Sequence, residues 1–219
     1  MKKILLILTL LLSCVWSEES SDSQWRGFFG VEGGAGIFGV GEAIIFSANP
    51  MFASSGYSFG VGYSGGIVGG LQKYTFDKVG IRYTLGLSFS YIPDMSSIRQ
   101  GNPYDSCYFC KNPKKINLKN VEAQVYSGYY ALDGLFDFVK NDDTHRFGMF
   151  LGLKVDVSGT IGGLSEVRGW VIQGGVHTGL YAQANNSIFE LSFSVPIIGF
   201  GSGIVVYDSP ITLGYKYLF

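Results

Sequence analysis

Apolar and polar side chains alternate one by one along most of this chain. Ile81, Tyr83, Leu85, Leu87, Phe89 and Tyr91 fall on one face, with Arg82, Thr84, Gly86, Ser88 and Ser90 between them. Phe147, Met149, Leu151, Leu153, Val155 and Val157 repeat this against Arg146, Gly148, Phe150, Gly152, Lys154 and Asp156. Phe189, Leu191, Phe193, Val195 and Ile197 do the same against Glu190, Ser192, Ser194 and Pro196. A period of two is that of a strand with one greasy side; a helix would need 3.6.

The pattern predicts eight strands, near 27–40, 56–74, 79–92, 119–139, 146–159, 167–182, 187–198 and 209–219. The fourth changes parity on this reading. Val121, Ala123 and Val125 face outward early, and Leu132, Phe136 and Phe138 later, so a β-bulge is expected near Ser127-Gly128. Tight turns fall at Phe76-Asp77-Lys78, at 141–144 and at 184–187, and longer connections at 41–55, 93–118, 160–166 and 199–208. Short turns at one end and long loops at the other are the habit of bacterial outer-membrane barrels. The fold expected is therefore all-β, an eight-stranded antiparallel transmembrane up-and-down β-barrel, with both termini on the short-turn, periplasmic side. A periplasmic aromatic girdle is expected from Trp25, Phe28, Phe29, Tyr74, Phe76, Phe136, Phe138, Phe147, Tyr181, Phe189, Tyr217 and Phe219.

The N-terminus supports export. Met1-Lys2-Lys3 is a short positive segment, and Ile4 to Leu12 is an apolar run of signal-peptide length, too short for the ~20 residues of a membrane helix. Cleavage after Ser17 would leave residues 18–219 as the barrel. Leu11-Leu12-Ser13-Cys14 offers a competing lipobox with Cys14 lipidated. Tyr215, Tyr217 and Phe219 end the chain as an alternating aromatic strand, read as the signal for the barrel-assembly machinery.

Composition narrows the class. Glycine is 32 of 219 residues, about double the usual share. Charged residues are only 15%. The 16 Lys and Arg nearly cancel the 17 Asp and Glu, which gives no electrostatic footprint for nucleic acid. Nothing calls for a cofactor or a metal.

Several motifs compete with this reading and lose on context. Gly34-Ala35-Gly36-Ile37-Phe38-Gly39 and Gly60-Val61-Gly62-Tyr63-Ser64-Gly65 spell GxGxxG, but no amphipathic helix follows to hold a pyrophosphate. Gly62-Tyr63-Ser64-Gly65-Gly66 spells GxSxG without the strand-to-helix turn that a nucleophilic serine needs. The inward-facing charges are Glu32, Arg82, Glu122, Asp133, Asp137, Arg146, Lys154, Asp156, His177, Glu190 and Lys216. In a barrel this narrow they are expected to pair and close the lumen. Cys107 and Cys110 are the two cysteines left after cleavage. They are expected to form a disulfide in the longest loop, made basic by Lys111, Lys114, Lys115 and Lys119.

Three segments carry a family resemblance. Gly27-Phe28-Phe29-Gly30-Val31-Glu32-Gly33-Gly34 resembles the opening strand of the Helicobacter outer-membrane-protein family. Leu132-Asp133-Gly134-Leu135-Phe136-Asp137-Phe138, with Arg146-Phe147-Gly148-Met149-Phe150-Leu151-Gly152, is similar to that family's "LDYLFDF…GLFLG" segment, with Gly134 in place of its usual aromatic. Gly214-Tyr215-Lys216-Tyr217-Leu218-Phe219 is similar to its closing strand. The resemblance implies a surface protein of adhesin or porin-like kind and supplies no binding residues.

The function expected is non-enzymatic: surface loops presented for adhesion or for contact with lipopolysaccharide, with host glycans or receptors as candidate partners. A small porin-like channel is the alternative, and a lipid-modifying barrel enzyme the second alternative. For the loop, replacing Cys107 and Cys110 with Ser should leave insertion and heat-modifiable gel mobility intact, because a ring this small gains less than the ~3 kcal/mol of a 15-residue loop. Thiol alkylation on intact cells, with and without reductant, reads the bridge; free thiols in the unreduced protein would refute it.

Overall fold

The computed structural model describes residues 24–42, 58–94, 122–141, 144–162 and 168–219. They form seven stretches of strand: β1 (Arg26–Glu42), β2 (Ser58–Phe76), β3 (Val79–Asp94), β4 (Ala123–Lys140), β5 (His145–Gly162), β6 (Arg168–Ala184) and β7 (Ser187–Leu218). Each pairs antiparallel with the next. The long β7 serves twice. Its first arm, 187–203, pairs with β6, and its second, 204–218, pairs with β1. The sheet is a closed barrel of eight antiparallel staves. The connection expected at 199–208 is thus taken up into extended backbone.

Alternation decides which side chains leave the ring. Along β5, Phe147, Leu151, Leu153, Val155, Val157 and Ile161 are exposed on the outside, while Arg146, Phe150, Asp156, Ser158 and Thr160 are buried within. Sheet closure leaves no strand edge, so an apolar outer wall and satisfied backbone coexist as a bilayer requires. Among the described residues no helix is long and apolar enough to cross a membrane; crossing here falls to strands.

The turns follow local chemistry. Asp77 and Lys78 alone join β2 to β3. Asn185, between β6 and β7, takes a φ of 54°, a left-handed conformation that Asn tolerates better than most residues. Lys140 pairs with Asp77 across the same rim and holds that exposed carboxyl below its ordinary range.

Three expectations need correction. β4 keeps one parity from Ala123 to Asp137, with Ser127 opposite Ser158 and Gly128 opposite Val157 in unbroken register. There is no bulge at Ser127-Gly128; the shift lies between Asp137 and Val139, next to the turn. Ala123 and Val125 therefore point inward, where they are buried, and Glu122 sits exposed at the rim. The apolar early residues of β4 misled the reading because they plug the lumen instead of facing lipid. Third, Phe28 and Tyr181 are buried inside the ring, and Tyr74 packs against the same inner cluster. Of the expected girdle, Trp25, Phe29, Phe76, Phe136, Phe138, Phe147, Phe189, Tyr217 and Phe219 are exposed outside.

Inward glycines make room for inward rings. A Cβ on Gly86 would collide with the Tyr129 ring, and one on Gly179 would come within 2.6 Å of the Phe150 ring. Gly86→Val should therefore lower stability by about 1–3 kcal/mol. Urea unfolding in lipid vesicles, followed by heat-modifiable mobility, measures it. Adding Tyr129→Ala should recover part of the loss; equal losses in single and double variants would show that the ring is not the obstacle.

Candidate functional site

The barrel interior is the chemically rich region of the described chain. It is layered along its axis. At the outer end Phe38, Ile92, Ala123, Val125 and Val171 are buried together with hardly any exposure. At the inner end Phe28, Leu135, Phe150, Tyr181, Ile188 and Leu218 form an apolar cluster with Tyr74 against it. Between them lies a polar belt.

Glu190 is the hub of that belt. Arg82, 1% exposed, and Lys216 both donate to its carboxylate. Arg82 also reaches Asp133 at 3.5 Å, whose other oxygen lies 2.9 Å from His177 Nδ1. Five side chains from β3, β4, β6 and both arms of β7 are thus tied across the lumen. Nearer the inner end Arg146 Nη1 donates to Asp137 at 2.7 Å, and Tyr181 donates to the same carboxylate. Tyr129 donates to Glu32 at 2.8 Å. Ser158 donates to Asp156 at 3.1 Å and shares a 2.7 Å hydrogen bond with Ser127.

Four inward cations also rest on aromatic rings. Arg82 lies 4.6 Å from the Phe150 centroid, Arg146 3.7 Å from Tyr74, Lys154 4.3 Å from Tyr129, and Lys216 5.2 Å from Phe28. Rings stack in turn over glycines: Tyr129 over Gly86, Phe150 over Gly179, Phe28 over Gly70 and Tyr74 over Gly80. The unit repeated around the lumen is glycine, ring, cation. Cation–π contact partly replaces the hydration that burial removes.

This changes the partners expected for the charges while keeping most of their positions. Glu32, Arg82, Asp133, Asp137, Arg146, Lys154, Asp156, His177, Glu190 and Lys216 all face inward. Lys154 meets Tyr129, and Glu32 is held by a phenol. Glu122 is not among them; it accepts a 2.7 Å hydrogen bond from Tyr91 at the exposed rim. Sequence reasoning missed the ring platforms Phe28 and Tyr74, whose parity relative to outward Phe29 and Lys73 carried the signal.

One cavity is enclosed among the described inward residues. Glu32, Ser64, Tyr129, Lys154, His177 and Thr212 line a polar cavity with room for one or two waters. Ser64 Oγ is buried here without a hydrogen-bond partner. Ser64 and both GxGxxG stretches lie within strands β1 and β2, the second followed by the turn into β3. His177 faces the lumen, where its Nδ1 meets Asp133. Among the described residues no group of His, Cys, Asp or Glu could hold a metal ion. Tyr215, Tyr217 and Phe219 stand exposed on the outer wall of the closing stave, where Phe219 N–H donates to Gly27 O at 2.9 Å. Cys107, Cys110, Cys14, the signal segment and the basic loop lie outside the described residues.

No protein-family model matches the chain, and no curated protein matches it. Among solved structures it is similar to Neisserial surface protein A, with 13% identity and a TM-score of 0.42, over 92% of this chain and 100% of that one. It is also similar to Ail, the attachment invasion locus protein of Yersinia pestis, with 9% identity and a TM-score of 0.37, over 89% of this chain and 99% of that one. The outer membrane protein AlkL matches with 10% identity and a TM-score of 0.36, over 93% of this chain and 94% of that one.

Removing the hub tests the belt. Glu190→Gln leaves Arg82 with Asp133 alone and strands Lys216. It should cost about 3–5 kcal/mol of barrel stability, the typical loss when one partner of a buried pair is deleted. The urea midpoint in vesicles should fall accordingly; an unchanged midpoint would mean that the belt carries no structural load.

Proposed function

We propose that this chain is a non-enzymatic β-barrel of the bacterial outer membrane whose work is done by its outer loops. One observation carries the reading: among the described residues, inward side chains fill most of the lumen. Apolar side chains occupy both ends of the described lumen, and charges held by opposite charges, rings or hydroxyls occupy the middle, around a small polar cavity. A barrel whose outside is apolar and whose described lumen is mostly filled offers a water-soluble partner chiefly its loops.

Adhesion or contact with lipopolysaccharide is the task that suits such loops. The basic residues Lys111, Lys114, Lys115 and Lys119 give the longest loop a charge complementary to anionic glycans and lipid phosphates. Ail has been crystallised with the heparin analogue sucrose octasulfate. Membership of the Helicobacter outer-membrane-protein family, suggested by the three matching segments, fits this surface role. Two features stand against a porin-like channel, the Arg82–Glu190–Lys216 tie and the outer apolar plug. The reading assigns no catalytic residue.

Reconstituted into planar bilayers, the protein should give at most rare, small openings. Steady porin-sized conductance would reverse the ranking in favour of the channel. In parallel, a glycan array probed with the folded barrel should show binding that is lost when the four loop lysines become Gln.

A further inference from the structure

The lipid-facing wall carries a charge that the lumen does not explain. Lys73 lies on β2, three residues before Phe76 at the end of that strand. Its neighbours Gln72 and Tyr74 point inward, Gln72 buried and Tyr74 into the inner cluster, so Lys73 points outward between them. The other charged side chains on the described outer wall are occupied: Glu122 by Tyr91, and Lys140 by Asp77. Among the described residues no carboxylate lies within ion-pair distance of Lys73. An ammonium on a lipid-facing strand is costly unless it reaches the interface and finds an anion there.

The surface beside Lys73 is shaped for the rest of an amphiphile. Arg26 pairs with Gln72, so Trp25 lies at the level of Lys73 on the adjoining stave. Trp25 lies 5.4 Å from Tyr83, and Tyr83 lies 6.3 Å from Tyr130, the latter two nearly parallel. This row of rings starts near the short-turn rim and climbs across β3 to the middle of β4. It leaves the level of the aromatic girdle and enters the apolar band. The Tyr83 hydroxyl has no hydrogen-bond partner among the described residues, as is also true of outward Tyr63, Tyr130 and Tyr217, but Tyr83 alone of these stands next to Trp25 in the ring row.

We propose that Lys73, Trp25, Tyr83 and Tyr130 form a binding site for one anionic glycerophospholipid of the periplasmic leaflet. Its phosphate meets the Lys73 ammonium, its ester region meets the Tyr83 hydroxyl, and an acyl chain lies along the rings toward Tyr130. The charge decides for an anionic headgroup, since a net-neutral headgroup gains less from an unpaired ammonium. The site deepens the membrane reading above, on which the choice of leaflet rests.

The test uses the full barrel in nanodiscs of equal phosphatidylglycerol and phosphatidylcholine. Retained lipid is counted by native mass spectrometry after detergent release, and folding is followed separately by heat-modifiable mobility. The wild type should retain phosphatidylglycerol in preference to phosphatidylcholine. Lys73→Gln should reduce that retention at least fivefold, Lys73→Arg should keep it, and Tyr83→Phe should reduce it about twofold. Equal retention of both lipids by the wild type, or unchanged retention by Lys73→Gln, would overturn the site. In a second set of nanodiscs that also contain lipid A, stronger retention of lipid A than of phosphatidylglycerol would overturn the leaflet assignment. A chain that never gives the heat-shifted band would count against the barrel reading itself, a result distinct from these.

Discussion

Pairing of residues 204–218 with β1 closes the sheet on itself. Once it is closed, backbone donors and acceptors along the staves find partners within the ring, and side chains have only two directions to take. Outward positions must suit lipid, and inward positions must fill a space that eight staves leave barely wide enough for side chains. The rest of the structure answers those two demands. The close approach of Gly30 and Gly34 to the backbone of the closing arm shows how tightly the seam is drawn.

Inside the ring the difficulty is charge. Four cations and five carboxylates are withdrawn from water in a narrow tube, and burial of an ion is unfavourable unless partners replace its hydration. The structure supplies two kinds of partner at once. Carboxylates bind Arg82, Arg146 and Lys216 directly, and rings lie under all four cations. The rings fit because glycines on adjacent staves give them room. High glycine and high aromatic content are thus two halves of one packing device, and a glycine replaced by a larger residue should displace a ring and the cation on it. A lumen built this way is packed like a core around one small polar cavity.

Much of this was legible in the chain. Alternation along β3, β5 and β7 as far as Pro196 fixes which residues face lipid, and those positions hold in the structure; beyond Pro196 a register shift leaves Ile197 and Ile198 both exposed. The inward positions of Arg82, Asp133, Glu190 and Lys216 follow from the same parity. Illegible were the contacts that depend on three-dimensional register. Glu190 meets Arg82 across 108 positions of sequence, and nothing local announces that neighbour. The early part of β4 was misread because Ala123 and Val125 are apolar and inward. Hydrophobicity marks the lipid face only where the lumen is polar, and at the plugged ends it marks both faces. Phe28, Tyr74 and Tyr181 were misplaced for the same reason. An aromatic near a strand end suggests a girdle, while its parity says otherwise.

The central claim is that alternate residues of one stave face lipid and a sealed interior. β5 tests it most directly. In nanodiscs, amide and methyl signals of Leu151, Leu153, Val155 and Val157 should broaden with a paramagnetic agent dissolved in lipid. Those of Lys154, Asp156 and Ser158 should be spared by that agent and by a water-soluble gadolinium chelate. Broadening of Lys154 and Asp156 by the chelate would reveal an open, water-filled lumen. Broadening of Leu153 and Val155 by the chelate would mean that the apolar wall does not lie in a membrane.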